Sequence, residues 1–209
     1  MRLLLLGTAG TGKTRAIQTC LQEIQNALKA ANLPLSFVRV AAPTGSAAFN
    51  IRFSASTIHR LIHWLSPPYF HNLQENSDSL MKLQEYFQNT ELILIDEVSM
   101  VGRHMMGRID SRLRQATAER DNCDDLIGGL SAVCVGDPAQ CEAMMDQQIY
   151  DTDPHKRTND MEEDSAAKLS NAGLNAYAQF NEVIILTHVH RLHTLDKENL
   201  SDEEKEYNE

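Results

Sequence analysis

Cysteine is scarce: Cys20, Cys123, Cys134 and Cys141 lie far apart with no Cys-x-x-Cys spacing. That excludes a disulfide scaffold and a thiolate zinc framework, and leaves reduced, intracellular thiols as the reading. Long hydrophobic runs are missing as well. The apolar start at residues 3–6 is four leucines running straight into a glycine loop, far short of the ~20 residues that cross a bilayer. It reads as a buried strand, no membrane association is expected, and the lack of a signal segment argues against secretion. Basic charge is in deficit, with 19 Lys and Arg against 29 Asp and Glu, a net charge of -10. Neutralising a phosphate backbone needs clustered cations, so a general basic surface for nucleic acid is excluded and any such contact must be local. Much of the acid sits at 121–125 and 202–206, so the net value says little about the rest of the surface.

What remains is an ordinary globular composition, 42% hydrophobic and 23% charged over 209 residues, enough for one good core. Apolar runs at 3–6, 35–41, 92–95, 132–135 and 183–186 predict strands. Ile17, Leu21, Ile24 and Leu28 form a helical stripe over 13–30, Met105, Ile109 and Leu113 another over 100–117, and a third helix is expected over 166–180. Alternating helices and strands with both strand faces apolar predict an α/β fold with a parallel sheet flanked by helices. In such sheets ligands bind beyond the carboxyl ends of the strands. Residues 150–164 are polar and aperiodic and read as a surface insertion or mobile loop. The domain is expected over 1–195, followed by a disordered acidic tail at 196–209.

The first predicted strand ends in Gly7-Thr8-Ala9-Gly10-Thr11-Gly12-Lys13-Thr14, a strand-loop-helix context that fits a Walker A phosphate loop. Glycines let successive N–H groups turn toward phosphates, the helix N-terminus adds partial positive charge, Lys13 bridges the outer phosphates and Thr14 ligates magnesium. Residues 7–15, including Arg15, are therefore the candidate ATP site. Asp96 and Glu97 follow the apolar run 92–95 as a Walker B pair. Asp96 would hold Mg2+ and Glu97 would orient the attacking water. Gly136-Asp137-Pro138-Ala139-Gln140 ends another strand; it is a good turn by itself, and Gln140 is placed to report the third phosphate.

The order of these motifs resembles the superfamily-one, group B helicases of the Pif-one (petite integration frequency) type, including the helicase regions of helitron transposons. The most distinctive stretch is Ala42-Pro43-Thr44-Gly45-Ser46-Ala47-Ala48-Phe49-Asn50-Ile51 followed by Thr57-Ile58-His59, similar to the family's motif Ia. Asp96 to Met100 is similar to motif II, Gly136 to Gln140 to motif III, and 186–191 to a segment whose arginine, here Arg191, reaches the third phosphate. The resemblance implies a RecA-like P-loop NTPase domain, magnesium-dependent ATP hydrolysis, translocation along single-stranded DNA from 5′ to 3′, and an intracellular place, the nucleus or mitochondrion if the source is a eukaryote. It places DNA against Pro43, Thr44 and Gly45, with His59 nearby. From the residues alone, Thr44 to Ser46 is a phosphate cradle at a helix start, or a helix cap, or both. Trp64, with Ile58, Leu61 and Ile62 around it, reads as core and is left out of the site.

The sequence departs from the family after Gln140, where Cys141-Glu142-Ala143 replaces Leu-Pro-Pro, so the resemblance does not carry the path of this loop. No second motor domain is expected within 209 residues. One domain alone is expected to hydrolyse ATP slowly and unwind nothing, because the cleft between two domains supplies the charge-stabilising arginine. The alternatives are a catalytically degenerate relic that binds nucleotide or a partner, and another phosphate-loop enzyme such as a nucleotide kinase, which leaves the motif Ia run unexplained.

Overall fold

A computed structural model describes residues 1–64, 70–153 and 161–189, with backbone alone at 161–164. Six strands form one sheet: β1 (Arg2–Gly7), β2 (Val38–Ala42), β3 (Ser56–Thr57), β4 (Leu92–Ile95), β5 (Ser131–Gly136) and β6 (Glu182–Leu186). The order across the sheet is β3-β2-β4-β5-β1-β6 and every pairing is parallel. Among the described residues six helices accompany them: α1 (Lys13–Ala30), α2 (Gly45–Ile51), α3 (Ile58–Leu61), α4 (Asp78–Phe87), α5 (Arg103–Ala116) and α6 (Met161–Tyr177).

Strand residues alternate between two cores because side chains on a strand point to opposite faces. Leu4, Ala41, Ile93, Ile95, Ala132 and Cys134 enter the larger core with α3, α4, α5 and α6, including Phe87, Met106 and Leu113. Val40, Ala42, Leu94 and Val135 point the other way, onto Ile17 and Leu21 of α1 and Ala48 and Ile51 of α2. The α/β expectation is met: the parallel sheet is flanked by helices on both faces, in a RecA-like arrangement. None of the helices among the described residues is long and apolar enough to cross a membrane.

Three element starts differ from the sequence expectation by three residues or more, and one helix was not expected. After Pro34, residues Leu35–Phe37 form a 3-10 turn, so β2 starts only at Val38. Val98–Met100 is another 3-10 turn and α5 begins at Arg103. There the Asp146 carboxylate accepts from the amides of His104 and Met105 at 3.1 Å each, a cap supplied from 42 and 41 residues downstream. The third helix starts at Met161, inside the segment read as an insertion; residues 154–160 and the tail at 196–209 lie outside the described residues. Residues 78–87, without a prediction, form α4, capped by Ser77, whose hydroxyl accepts from the Leu80 amide at 3.2 Å.

Helices α5 and α6 pack through glycines. A methyl group on Gly173 would lie 1.8 Å from the Arg103 carbonyl oxygen, and one on Gly107 would lie 2.2 Å from that of Leu169. Arg103, wholly buried, fastens the same contact by donating to Asn171 Oδ1 at 2.9 Å and to the Asp153 carbonyl at 2.5 Å.

Candidate active site at the carboxyl edge of the sheet

Parallel pairing sends the ends of β1, β2, β4 and β5 to one edge, and the motif-bearing loops leave from there. The phosphate loop is shaped by its glycines. Gly10 and Gly12 have φ of 84° and 88°, a left-handed conformation that costs other residues roughly 1–2 kcal/mol. Gly7 is held by proximity: a Cβ there would meet Thr11 Oγ1 at 2.6 Å and the Leu186 carbonyl oxygen at 2.9 Å. The buried Thr11 hydroxyl donates to the Thr8 carbonyl at 2.8 Å and closes the turn.

Helix α1 then starts at Gly12 without a side-chain cap and without an acidic residue in its first turn. Its leading N–H groups are unmatched by any local oxygen, which suits a bound anion. The Lys13 ammonium donates to the carbonyls of Gly7 at 2.6 Å and Thr8 at 3.0 Å, so it is folded over its own loop. Thr8, Ala9, Thr14 and Arg15 are exposed.

The Asp96 amide extends the sheet by donating to Ala41 at 2.9 Å, and its side chain is 7% exposed. Burial pushes the Asp96 carboxyl above the ordinary carboxylate range; the Glu97 amide opposes this, the Glu97 charge reinforces it, and the Lys13 ammonium opposes it. The Lys13 charge is therefore close enough to act on the Asp96 carboxyl. Glu97 adopts φ 52° and ψ 45°, an uncommon conformation for a residue with a side chain. Directly after it, the Ser99 hydroxyl is buried with no hydrogen-bond partner.

Strand β5 lies between β4 and β1, so the loop carrying Gln140 emerges between Asp96 and the phosphate loop. Gly136 touches the turn after Glu97: a Cβ on it would meet Val98 Cγ1 at 2.9 Å. The buried Asp137 accepts from the Ala139 amide at 3.0 Å through its carboxylate and from the Gln140 amide at 3.0 Å through its carbonyl, leaving Gln140 exposed. Past the divergent Cys141-Glu142-Ala143, the Ala143 amide donates to Gln148 Oε1 at 3.3 Å, and Asp146 runs back to cap α5. Sequence reasoning missed both Asp137 as the loop's internal anchor and Asp146. A Gly-Asp-Pro turn was the available signal for the first, and nothing local marks the second.

At the end of β2, Pro43 leads into Thr44, whose hydroxyl caps α2 by accepting from the Ala47 amide at 3.2 Å. The cap reading therefore holds. Gly45 is exposed and has nothing within 4 Å of the place a Cβ would occupy. His59, on α3, stacks on Trp64 with ring centroids 4.8 Å apart, and burial, followed by the Arg108 charge, lowers its pKa. Trp64 is 7% exposed and belongs to the larger core, as expected. Arg191 lies outside the described residues.

Comparison with known proteins agrees with this layout. A family model described as an AAA domain matches residues 2–178. The ATP-dependent DNA helicase RRM3 of Saccharomyces cerevisiae is 28% identical over 135 residues, covering 63% of this chain and 17% of that protein. The structure of Bacteroides Pif1 bound to single-stranded DNA is 25% identical with a TM-score of 0.57, covering 90% of this chain and 38% of that one. Candida albicans Pif1, 22% identical with a TM-score of 0.60 over 90% of this chain and 36% of that one, shares the fold. The chain thus spans well under half the length of these relatives. From its matched residues, strand order and edge loops, the chain belongs to the AAA-domain family as a partial, Pif1-type superfamily-one helicase motor domain.

Proposed function

We propose that this chain couples Mg-ATP hydrolysis to movement along single-stranded DNA in the 5′-to-3′ direction, as the ATP-binding half of a helicase whose second motor domain closes over the nucleotide. The observation that carries this reading is that the glycine-shaped loop with the uncapped start of α1 and the buried Asp96 leave the same edge of the sheet. ATP phosphates would lie along the amides of residues 9–13, with Arg15 beside the nucleotide, and would take over the Lys13 ammonium from its two carbonyls.

The residues present fit a magnesium ion. Asp96 is a buried carboxylate whose desolvation outweighs the help of the Glu97 amide and the Lys13 charge, and the Thr14 hydroxyl has no hydrogen-bond partner among the described residues. Thr14 and Asp96 would hold Mg2+, which when bound offsets the charge of the phosphates. Glu97 orients and polarises the attacking water. Gln140 contacts the third phosphate and relays its loss to the loop that follows. Arg191 supplies charge to the same phosphate, a role resting on the resemblance alone.

For DNA, the open space at Gly45 supports a strand passing close to the backbone at Pro43, Thr44 and Gly45, with His59 at its side. The Bacteroides relative is bound to single-stranded DNA, which supports such a strand as the ligand. In a stopped assay with magnesium and single-stranded DNA, Glu97→Gln should leave binding of a fluorescent ATP analogue intact and lower hydrolysis by about 10²-fold or more. A Glu97→Gln protein hydrolysing at the wild-type rate would mean contaminating activity. It would favour the degenerate relic to which the altered segment Cys141-Glu142-Ala143 also points.

A further inference from the structure

One turn beyond His59 the surface opens into a cleft of about 910 Å3 between α3, α4 and α5. In a chain of net charge -10, its lining is one-sided: Arg60, Lys82 and Arg112 contribute cations, His63 an imidazole, and Asn72 and Ser77 neutral polar groups, with no Asp or Glu among the described residues that line it. Arg60 and Lys82 are exposed, and neither forms an ion pair among the described residues.

Arg112 is a second, independent observation that points to an anionic ligand. It is 2% exposed, donates to Gln115 Oε1 at 2.8 Å and to the His71 carbonyl at 2.9 Å, and lies 4.7 Å from the Phe70 ring centroid. Its Nε nonetheless has no hydrogen-bond partner, and no carboxylate among the described residues faces it. A buried guanidinium with neutral acceptors only is an uncompensated charge. Its field reaches the cleft: burial first, then the charges of Arg112 and Arg39, hold the His63 pKa below the ordinary histidine value.

We propose that this cleft is a second DNA contact, which takes the phosphodiester backbone of the single strand after it has passed Thr44 and His59; the proposal rests on the DNA-motor reading above. Cations joined with serine and amide side chains form the donor set that proteins use for strand backbones. The base-stacking surfaces nearby are already in use. Trp64 stacks on His59, and Tyr86 carries the Arg39 guanidinium 3.6 Å from its ring centroid. Recognition here is therefore of phosphates rather than of bases.

The test is the affinity of the whole chain for oligothymidylates of increasing length, measured by fluorescence anisotropy across a salt series. Arg60→Gln/Lys82→Gln changes two exposed side chains and should leave the thermal midpoint and ATP-analogue binding unchanged. It should weaken DNA binding roughly tenfold or more near ~0.1 M salt and make the slope of log affinity against log salt shallower by about 1.4, at ~0.7 per lost phosphate contact on a single strand. A double variant with wild-type affinity and slope, beside a Gly45→Ala protein that binds DNA poorly, overturns the cleft and leaves the motor reading standing. Absence of DNA binding by the wild-type chain overturns both. Thymidine monophosphate competing as well as an oligonucleotide, or polyglutamate binding more tightly than DNA, overturns the strand as occupant in favour of a free phosphate or an acidic peptide.

Discussion

Glycines in this protein serve two different purposes, and the distinction can be measured. Gly12 sits at φ 88° because the phosphate loop turns there, so a side chain at 12 strains the protein itself. Gly45 has an ordinary place at the start of α2 and open space around it, so the folded chain alone has no need of glycine there. Gly45→Ala should keep or raise stability, by up to about 1 kcal/mol from reduced backbone freedom in the unfolded chain, while weakening single-stranded DNA binding. Calorimetry together with anisotropy checks this, and unchanged DNA affinity would remove Gly45 from the interface. The residues legible from sequence were those whose chemistry is local: the glycine loop, Lys13, the acidic pair after an apolar strand, and the Thr44 cap. Arg112 was not legible, because its meaning depends on His71, 41 positions away, and on carboxylates that are absent from around it.

Element boundaries show the same division between local and distant causes. The stripe of Ile17, Leu21 and Leu28 placed α1 correctly because its own amphipathic face decides its burial. The start of α5 was misplaced because its cap comes from Asp146, which fills the space left by Gly102. Burial pushes Asp146 up, but the hydrogen bonds from the His104 ring at 2.7 Å and from the His104 and Met105 amides outweigh it and hold the carboxyl below its ordinary range. A depressed carboxylate stabilises the fold above its unfolded pKa, and that contribution is lost as pH falls through the folded value. Asp146→Asn keeps a neutral cap and removes the charge. Urea melts should therefore show it less stable than wild type at pH 7, with the gap closing below about pH 4, the ordinary carboxylate range. A gap of the same size at pH 7 and pH 3 would assign Asp146 a purely steric role.

At the scale of the whole molecule, two cores divided by a parallel sheet leave one side unfinished. Strand β6 has Val183, Ile184 and Ile185 at 51%, 49% and 64% exposure, an apolar edge of the kind that promotes strand pairing between chains. Ile185→Lys should reduce concentration-dependent association in light scattering without lowering the thermal midpoint; unaltered association would show that β6 is not the contact. Helix α5 spans two separate regions of the fold. Its 14 residues make a stiff rod about 21 Å long. One end is latched by Asp146 to the segment following Gln140, and Arg112, near the other end, reaches the cleft beside α3. A shift of that segment, with the latch holding, would tilt the rod and displace its far guanidinium, which gives the Gln140 loop a mechanical route to a distant wall of the protein.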